Sequence, residues 1–472
     1  MLEKKYSKLA KNTALFVIGN FSSKILTFLI VPLYTYVLTT EEYGRIDLFS
    51  TTISFMLPII TLSIQEAMIR YILGNEMERD VVISNCWCIY VVGVIVSLLF
   101  YPIYKMYFKT SELSILFVIT LIEQSFFSMF SHYLRCVGKN IAYTISGILA
   151  TVSILVSNLF LLLVLKWGMA GYLYSGIISL TITNLYIIIV GGLWKKLSFK
   201  CVKIDLLKKM ILFSAPLIPN SLMWWIMSAG DKYIINYFLD DSANGLYSLA
   251  LKVPTVISMF CSIFFQAWQM SAIEENNSER RKQFYEEVFK LTNALLMCLM
   301  TCIIMGIKPL YVLVMNEKFA KAWIYVPFLC LGTAFSCQSS FFGVVYMTSE
   351  KTSKAFITTA LGALMNLLFN FIFIMPFGLQ GVAIGTCLGY VVVCFVRARD
   401  VKKEIQMEFD LTRTVSAVVI VIMQGTITML GSNLVILGIG IISVLLIFLL
   451  YRTELVMILK VIISRFCKTR GI

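Results

Sequence analysis

The sequence predicts an all-α integral membrane protein with fourteen transmembrane helices. Three observations predict it. Hydrophobic residues make up 59% of the 472 residues and charged residues only 14%, against about 25% charged in an average soluble domain. Mean hydropathy is +0.85. Apolar stretches of about 20 residues, the length that crosses a bilayer core as a helix, recur from end to end.

The spans are expected at 12–38, 48–72, 81–104, 112–134, 141–165, 169–193, 212–239, 246–270, 287–315, 325–348, 353–376, 378–396, 414–431 and 433–451. The first begins after a basic start, Met1 to Lys11, and has no small-residue cleavage site; it reads as a retained span and not as a signal peptide. Charge or turn residues separate the spans, as at Thr39-Thr40-Glu41-Glu42, Gly74-Asn75-Glu76, Gly138-Lys139-Asn140 and Asp240-Asp241.

Charge orients the helices. With both termini cytoplasmic, inner loops and tails hold 30 of the 40 Lys and Arg. The outer side holds seven, in loops or near span ends (Arg45, Lys105, Lys109, Lys166, Lys308, Lys318, Lys321), and Lys24, Lys232 and Lys252 are the three assigned to span interiors. That asymmetry is the positive-inside signal, and it accounts for the net charge of +14 without a nucleic-acid partner. The stretch Lys195–Lys209, with six Lys, is an inner linker. Outer loops are too short for a folded domain.

Tyr36–Leu48 aligns with Tyr237–Leu249 without a gap at an offset of 201, with Tyr, Leu, Gly and a second Leu identical. Trp167-Gly168-Met169-Ala170-Gly171 aligns with Phe377-Gly378-Leu379-Gln380-Gly381 at an offset of 210. The implied unit is six spans, and because six is even both halves enter from the same side, a parallel repeat. The expected organisation is an N-terminal six-helix bundle (1–194), a basic cytoplasmic linker (195–209), a C-terminal six-helix bundle (210–398), and helices 13 and 14 with a basic tail (399–472). Two parallel bundles around a central cavity suit alternating access.

The chain has twelve Cys and one His, His132, with no C-x-x-C pair; neither metal spacing nor a disulfide framework is present. A phosphate loop of the form Gly-x-x-x-x-Gly-Lys-Ser/Thr is also missing, which argues against ATP hydrolysis. No cofactor, metal or catalytic residue is expected.

Three segments resemble the polysaccharide-lipid (O-antigen) flippases of the multidrug/oligosaccharidyl-lipid/polysaccharide exporter superfamily. They are Asn20-Phe21-x-x-Lys24 through Pro32-Leu33-Tyr34 to Glu42-Tyr43-Gly44; Pro216-Leu217-Ile218-Pro219-Asn220 with Trp224-Trp225 and Ser228-x-x-Asp231-Lys232-Tyr233; and Gly138-Lys139-Asn140 with Gly168-x-x-Gly171. The resemblance covers nearly the whole chain. It implies two six-helix bundles around a cavity in a bacterial inner membrane. It also implies an undecaprenyl-diphosphate-linked oligosaccharide as substrate, turned from the cytoplasmic to the outer leaflet. Membrane lipids are partners, and the resemblance admits a polysaccharide polymerase and chain-length proteins.

Ionisable groups within spans are costly and carry functional hypotheses. Lys24, near the middle of span 1, is the first candidate for the cavity. Asp231 and Lys232 in span 7 and Lys252 in span 8 are next, and the three Lys would favour a diphosphate. For Lys232 an ion pair with Asp231 or Asp240, or snorkelling, stays open, and so does snorkelling of Lys252. Asn220, Trp224 and Trp225 complete the set, the indoles as surfaces for sugar rings. Glu123, mid-depth in span 4 beside Gln124, is the candidate for proton coupling, with a helix–helix contact as its alternative. Glu66 and Arg70 read as an i,i+4 ion pair. Two other functions stay open: a cation-coupled multidrug exporter of the same superfamily, and a membrane polysaccharide polymerase, against which the short outer loops argue.

Overall fold

The computed structural model describes residues 30–74, 78–274, 280–349 and 351–457. Every regular element among them is helical. They cluster into two compact units that divide between Trp225 and Ile226.

The first unit opens with α1 (Val31–Val37), then α2 (Thr40–Ile60) and α3 (Ile64–Leu73). Thr39 starts α2 through a capping box: its hydroxyl accepts from Glu42 N, and its own N–H donates to Glu42 Oε2 at 2.9 Å. Two orphan donors are thereby satisfied. Between α2 and α3 the chain bends by 53°. Leu62 (φ 50°) and Ser63 (φ 48°) both sit in the left-handed region, which non-glycine residues rarely adopt. Helices α4 (Arg79–Leu99), α5 (Ser111–Cys136), α6 (Asn140–Asn158, continued by a π-helical stretch to Val164) and α7 (Gly168–Gly191) follow. Two apolar clusters hold them. One gathers Phe49, Phe117 and Leu121 with Leu173; the other gathers Ile64, Met68, Phe130 and Tyr133. The linker folds into α8 (Ile204–Ser214), whose Leu206 and Met210 join the second cluster.

Helix α9 (Leu217–Phe238) runs across the division. The second unit continues with α10 (Asp241–Ala250), α11 (Lys252–Glu274), α12 (Arg281–Val314), α13 (Val326–Thr348), α14 (Thr352–Ile405), α15 (Leu411–Leu430) and α16 (Asn433–Leu450). Asp240 caps α10, its Oδ1 accepting from Ala243 N at 2.6 Å. Helix α14 has 54 residues. A straight helix of that length would run about 80 Å, more than twice the bilayer core. It breaks at Gly378 (φ 56°, ψ −136°), so it is two helices joined at a kink. The second half folds back closely: an added Cβ at Gly381 would lie 2.0 Å from Phe373 O, and at Gly385 2.4 Å from Asn370 Oδ1. Only glycine permits that approach, as small residues do wherever membrane helices pack backbone to backbone.

Among the described residues ten helices are long and apolar enough to cross a membrane, or eleven if the bent pair α2–α3 is one span. The chain is therefore a multi-pass helical membrane protein.

Candidate functional site

Within the second unit, Asp231 sits on α9 with 2% of its surface exposed. Its Oδ2 accepts from the Tyr247 hydroxyl of α10 at 2.6 Å, a short charge-assisted bond. Thr386, on the returning half of α14, reaches the same oxygen at 3.4 Å and meets Asn370 of the outgoing half at 3.4 Å. Asn370 Nδ2 donates to Asn366 Oδ1 at 3.2 Å. Nearby, the Tyr390 hydroxyl donates to Met227 O at 3.2 Å. Thr386 and Asn370 meet because Gly385 lets the two halves of α14 touch. The cluster joins a carboxylate to hydroxyl and amide oxygens. That is a set of hard donors able to exchange a proton or hold a small cation, at a depth where a lone carboxylate would be costly.

Within the first unit, Glu123 on α5 is held by α7. Asn184 Nδ2 donates to Glu123 Oε2 at 2.6 Å and to Glu123 O at 2.9 Å, and Thr181 Oγ1 donates to Oε1 at 3.4 Å. Next to it lies a cavity of about 390 Å³ among α2, α5, α6 and α7. Phe49, Ile53, Phe127 and Tyr172 give it apolar walls, and Ser54, Thr120 and Gln124 add polar groups. The Thr120 hydroxyl back-bonds to Leu116 O, whereas the Gln124 amide makes no hydrogen bond among the described residues.

The other expected residues are placed as follows. Lys24 lies outside the described residues. Lys232 and Asn220 are half-buried on α9, and Lys252 is half-buried as the first residue of α11. Lys252 forms no ion pair among the described residues. Trp224 is half-buried. Trp225 packs on Phe55 at 4.7 Å, and its indole N–H donates to Thr51 O at 3.2 Å and Ser54 Oγ at 3.3 Å, so one edge of the ring is occupied by α2. The expected Glu66–Arg70 ion pair does not form: the Arg70 guanidinium lies over the Phe213 ring at 4.6 Å. The aromatic ring supplied by α8 offers that cation a face which helical spacing alone does not reveal. Sequence reasoning weighed ionisable groups within spans together with Asn220, Trp224 and Trp225, and so passed over Tyr247, Thr386 and Asn370. The available signal was neutral polar side chains at helical spacing, Asn366 and Asn370, facing a Gly-x-x-x-Gly stripe.

Comparison with known proteins defines the class first. The fold is similar to that of the lipid II flippase MurJ in an inward closed conformation, with a TM-score of 0.72 at 15% identity over 94% of this chain and all of that one. It is also similar to an inward-facing multidrug resistance MATE transporter of the MOP superfamily, with a TM-score of 0.65 at 16% identity over 83% of this chain and 98% of that one. The fold is shared with both of these structures. Residues 9–269 match the family described as polysaccharide biosynthesis protein, and the chain belongs to that family. A curated relative, Lsg locus putative protein 1 of Haemophilus influenzae, is 22% identical over 261 residues, covering 53% of this chain and 63% of the relative. An uncharacterised membrane protein of the same species is 22% identical over 269 residues, covering 53% and 62%. The matches span under two thirds of these relatives' own length.

Proposed function

We propose that the protein is a flippase that moves an undecaprenyl-diphosphate-linked oligosaccharide, an O-antigen or similar repeat unit, from the cytoplasmic to the outer leaflet by alternating access. The observation that carries the reading is membership of the polysaccharide biosynthesis family combined with the fold it shares with a lipid II flippase. Fourteen spans with both termini cytoplasmic belong to the proposal. Reporters fused at Asp241 and Asn433 then read outside, and at Ser198 and Asn277 inside. A reversed reporter in mid-chain would break it.

The Asp231 cluster supplies a coupling site for a proton or a small cation, and Lys24 supplies positive charge to the substrate diphosphate. Proteoliposomes loaded with a defined lipid-linked oligosaccharide test the reading directly: substrate should become accessible at the opposite leaflet only when the protein is present. Lys24→Ala should abolish that transfer at normal membrane abundance, and Lys24→Arg should keep part of it. A multidrug exporter of the same superfamily is the second reading, favoured by the apolar walls of the 390 Å³ cavity. Drug efflux without lipid transfer in the same vesicles would select it.

A further inference from the structure

The basic linker does two different things with its lysines. Lys196 turns inward: its ammonium donates to the Tyr133 hydroxyl at 2.8 Å and lies 5.4 Å from the Tyr133 ring centroid. Ser84 on α4 pins the same turn, its hydroxyl donating to Lys196 O and accepting from Ser198 N. On α8 the face of Leu206 and Met210 is buried against the bundle. The linker is thus a folded part of the first unit and not a loose connection.

Its other lysines turn outward. Lys200, Lys203, Lys208 and Lys209 are all exposed, and none has a carboxylate within ion-pair distance among the described residues. Apolar side chains are interleaved with them: Trp194 is 56% exposed, Phe199 60%, Ile204 66% and Leu212 75%. Ile204, Lys208 and Leu212 recur at i, i+4 and i+8, so they share the outward face of α8. A face that is both apolar and cationic fits neither bulk water nor a hydrocarbon core. It fits the boundary between them, where apolar groups reach the acyl chains and lysine stems carry their charge to the phosphates.

We propose that this face of the linker binds the anionic phospholipid head groups of the leaflet it meets, so that the first unit is anchored by lipid charge. The occupant is the bulk anionic lipid. Charge complementarity selects it over a zwitterionic one, since each lysine near an anionic surface contributes about 1 kcal/mol, roughly a fivefold change in affinity. The proposal does not depend on what is transported.

The test uses the full-length protein titrated with phosphatidylglycerol or phosphatidylcholine, with bound lipid counted by native mass spectrometry. Lys200, Lys203, Lys208 and Lys209 are changed together to Gln. A control of equal charge loss changes Lys318, Lys321, Lys402 and Lys403 to Gln. The expected result is that phosphatidylglycerol binds the native protein more tightly than phosphatidylcholine. That preference should fall at least about tenfold in the linker variant, persist in the control, and return when the four linker lysines are replaced by Arg. Raising salt should weaken it, because exposed charges are screened over about 8 Å at physiological ionic strength. An unchanged preference in the linker variant overturns the proposal, and so does an equal loss in the control. Tight binding of a lipid-linked diphosphate without any preference for phosphatidylglycerol would overturn it in favour of a substrate-docking surface. If lipid transfer fails while the phosphatidylglycerol preference holds, only the flippase reading falls.

Discussion

Glu123 in the first unit and Asp231 in the second are both carboxylates held within helices, and the two are satisfied differently. Glu123 is clamped by the neutral amide of Asn184 and the hydroxyl of Thr181, both on α7. Its bonds run between two helices of one bundle and serve to hold α5 on α7. Asp231 takes one short bond from Tyr247 and then leads through Thr386 to Asn370, gathering α9, α10 and both halves of α14. The first joins two helices, and the second is a cluster of oxygens around a carboxylate. The difference teaches that a carboxylate within a helical unit can be satisfied either by one neighbouring helix or by a polar cluster drawn from several.

The sharpest way to break this contrast is to neutralise each carboxylate in turn. Asp231→Asn keeps the shape and can still accept from Tyr247, so membrane abundance should stay near normal while lipid transfer falls at least about tenfold, the equivalent of roughly 1.4 kcal/mol. Glu123→Gln should leave transfer within about twofold. Equal losses in the two variants would erase the distinction. Gly385→Ala should act through packing, because its Cβ would meet Asn370 Oδ1 at 2.4 Å and Asn370 N at 2.8 Å. Overpacking of this kind costs about 1–3 kcal/mol, which a lower melting temperature of the purified protein would report. Tyr247→Phe removes the short bond and no backbone contact. A hydrogen bond to a charged group contributes about 1.5–3 kcal/mol, so the pH or cation dependence of transfer should shift while transfer itself persists. An unshifted profile would show that the phenol only packs. The smallest effect is expected at Thr181→Val, whose 3.4 Å bond to Glu123 is long enough that transfer and melting temperature should both stay near native values.

Much of the fold was legible because membrane spans announce themselves by length. The spans expected at 112–134 and 141–165 appear as α5 and as α6 with its π-helical continuation, and the turn chemistry at Gly378 divided α14 correctly. The break within the second expected span was not legible. Leu62 and Ser63 adopt left-handed backbone without a glycine to announce it, and the one nearby cue, Pro58, lies inside α2. Of the candidate site, Asp231 was visible as a charge in an apolar run and does sit in a buried polar cluster. Its partners were not visible, because Tyr247, Asn370 and Thr386 come from 16 to 155 positions away. Such pairings depend on how helices pack and not on local pattern. Arg70 failed for a similar reason, its ring partner Phe213 being supplied by a distant helix.

The two helix starts at Thr39 and Asp240, 201 residues apart, carry one further consequence. One is capped by a hydroxyl within a reciprocal box, the other by a carboxylate that binds Ala243 N, while Asn236 bonds the following Asp241. The two starts use different groups for one purpose: each sets an oxygen where it receives a backbone N–H of the first turn. Each start thus carries a carboxylate, Glu42 at N3 in one and Asp240 at the N-cap in the other, set where the first N–H groups of the helix need an acceptor.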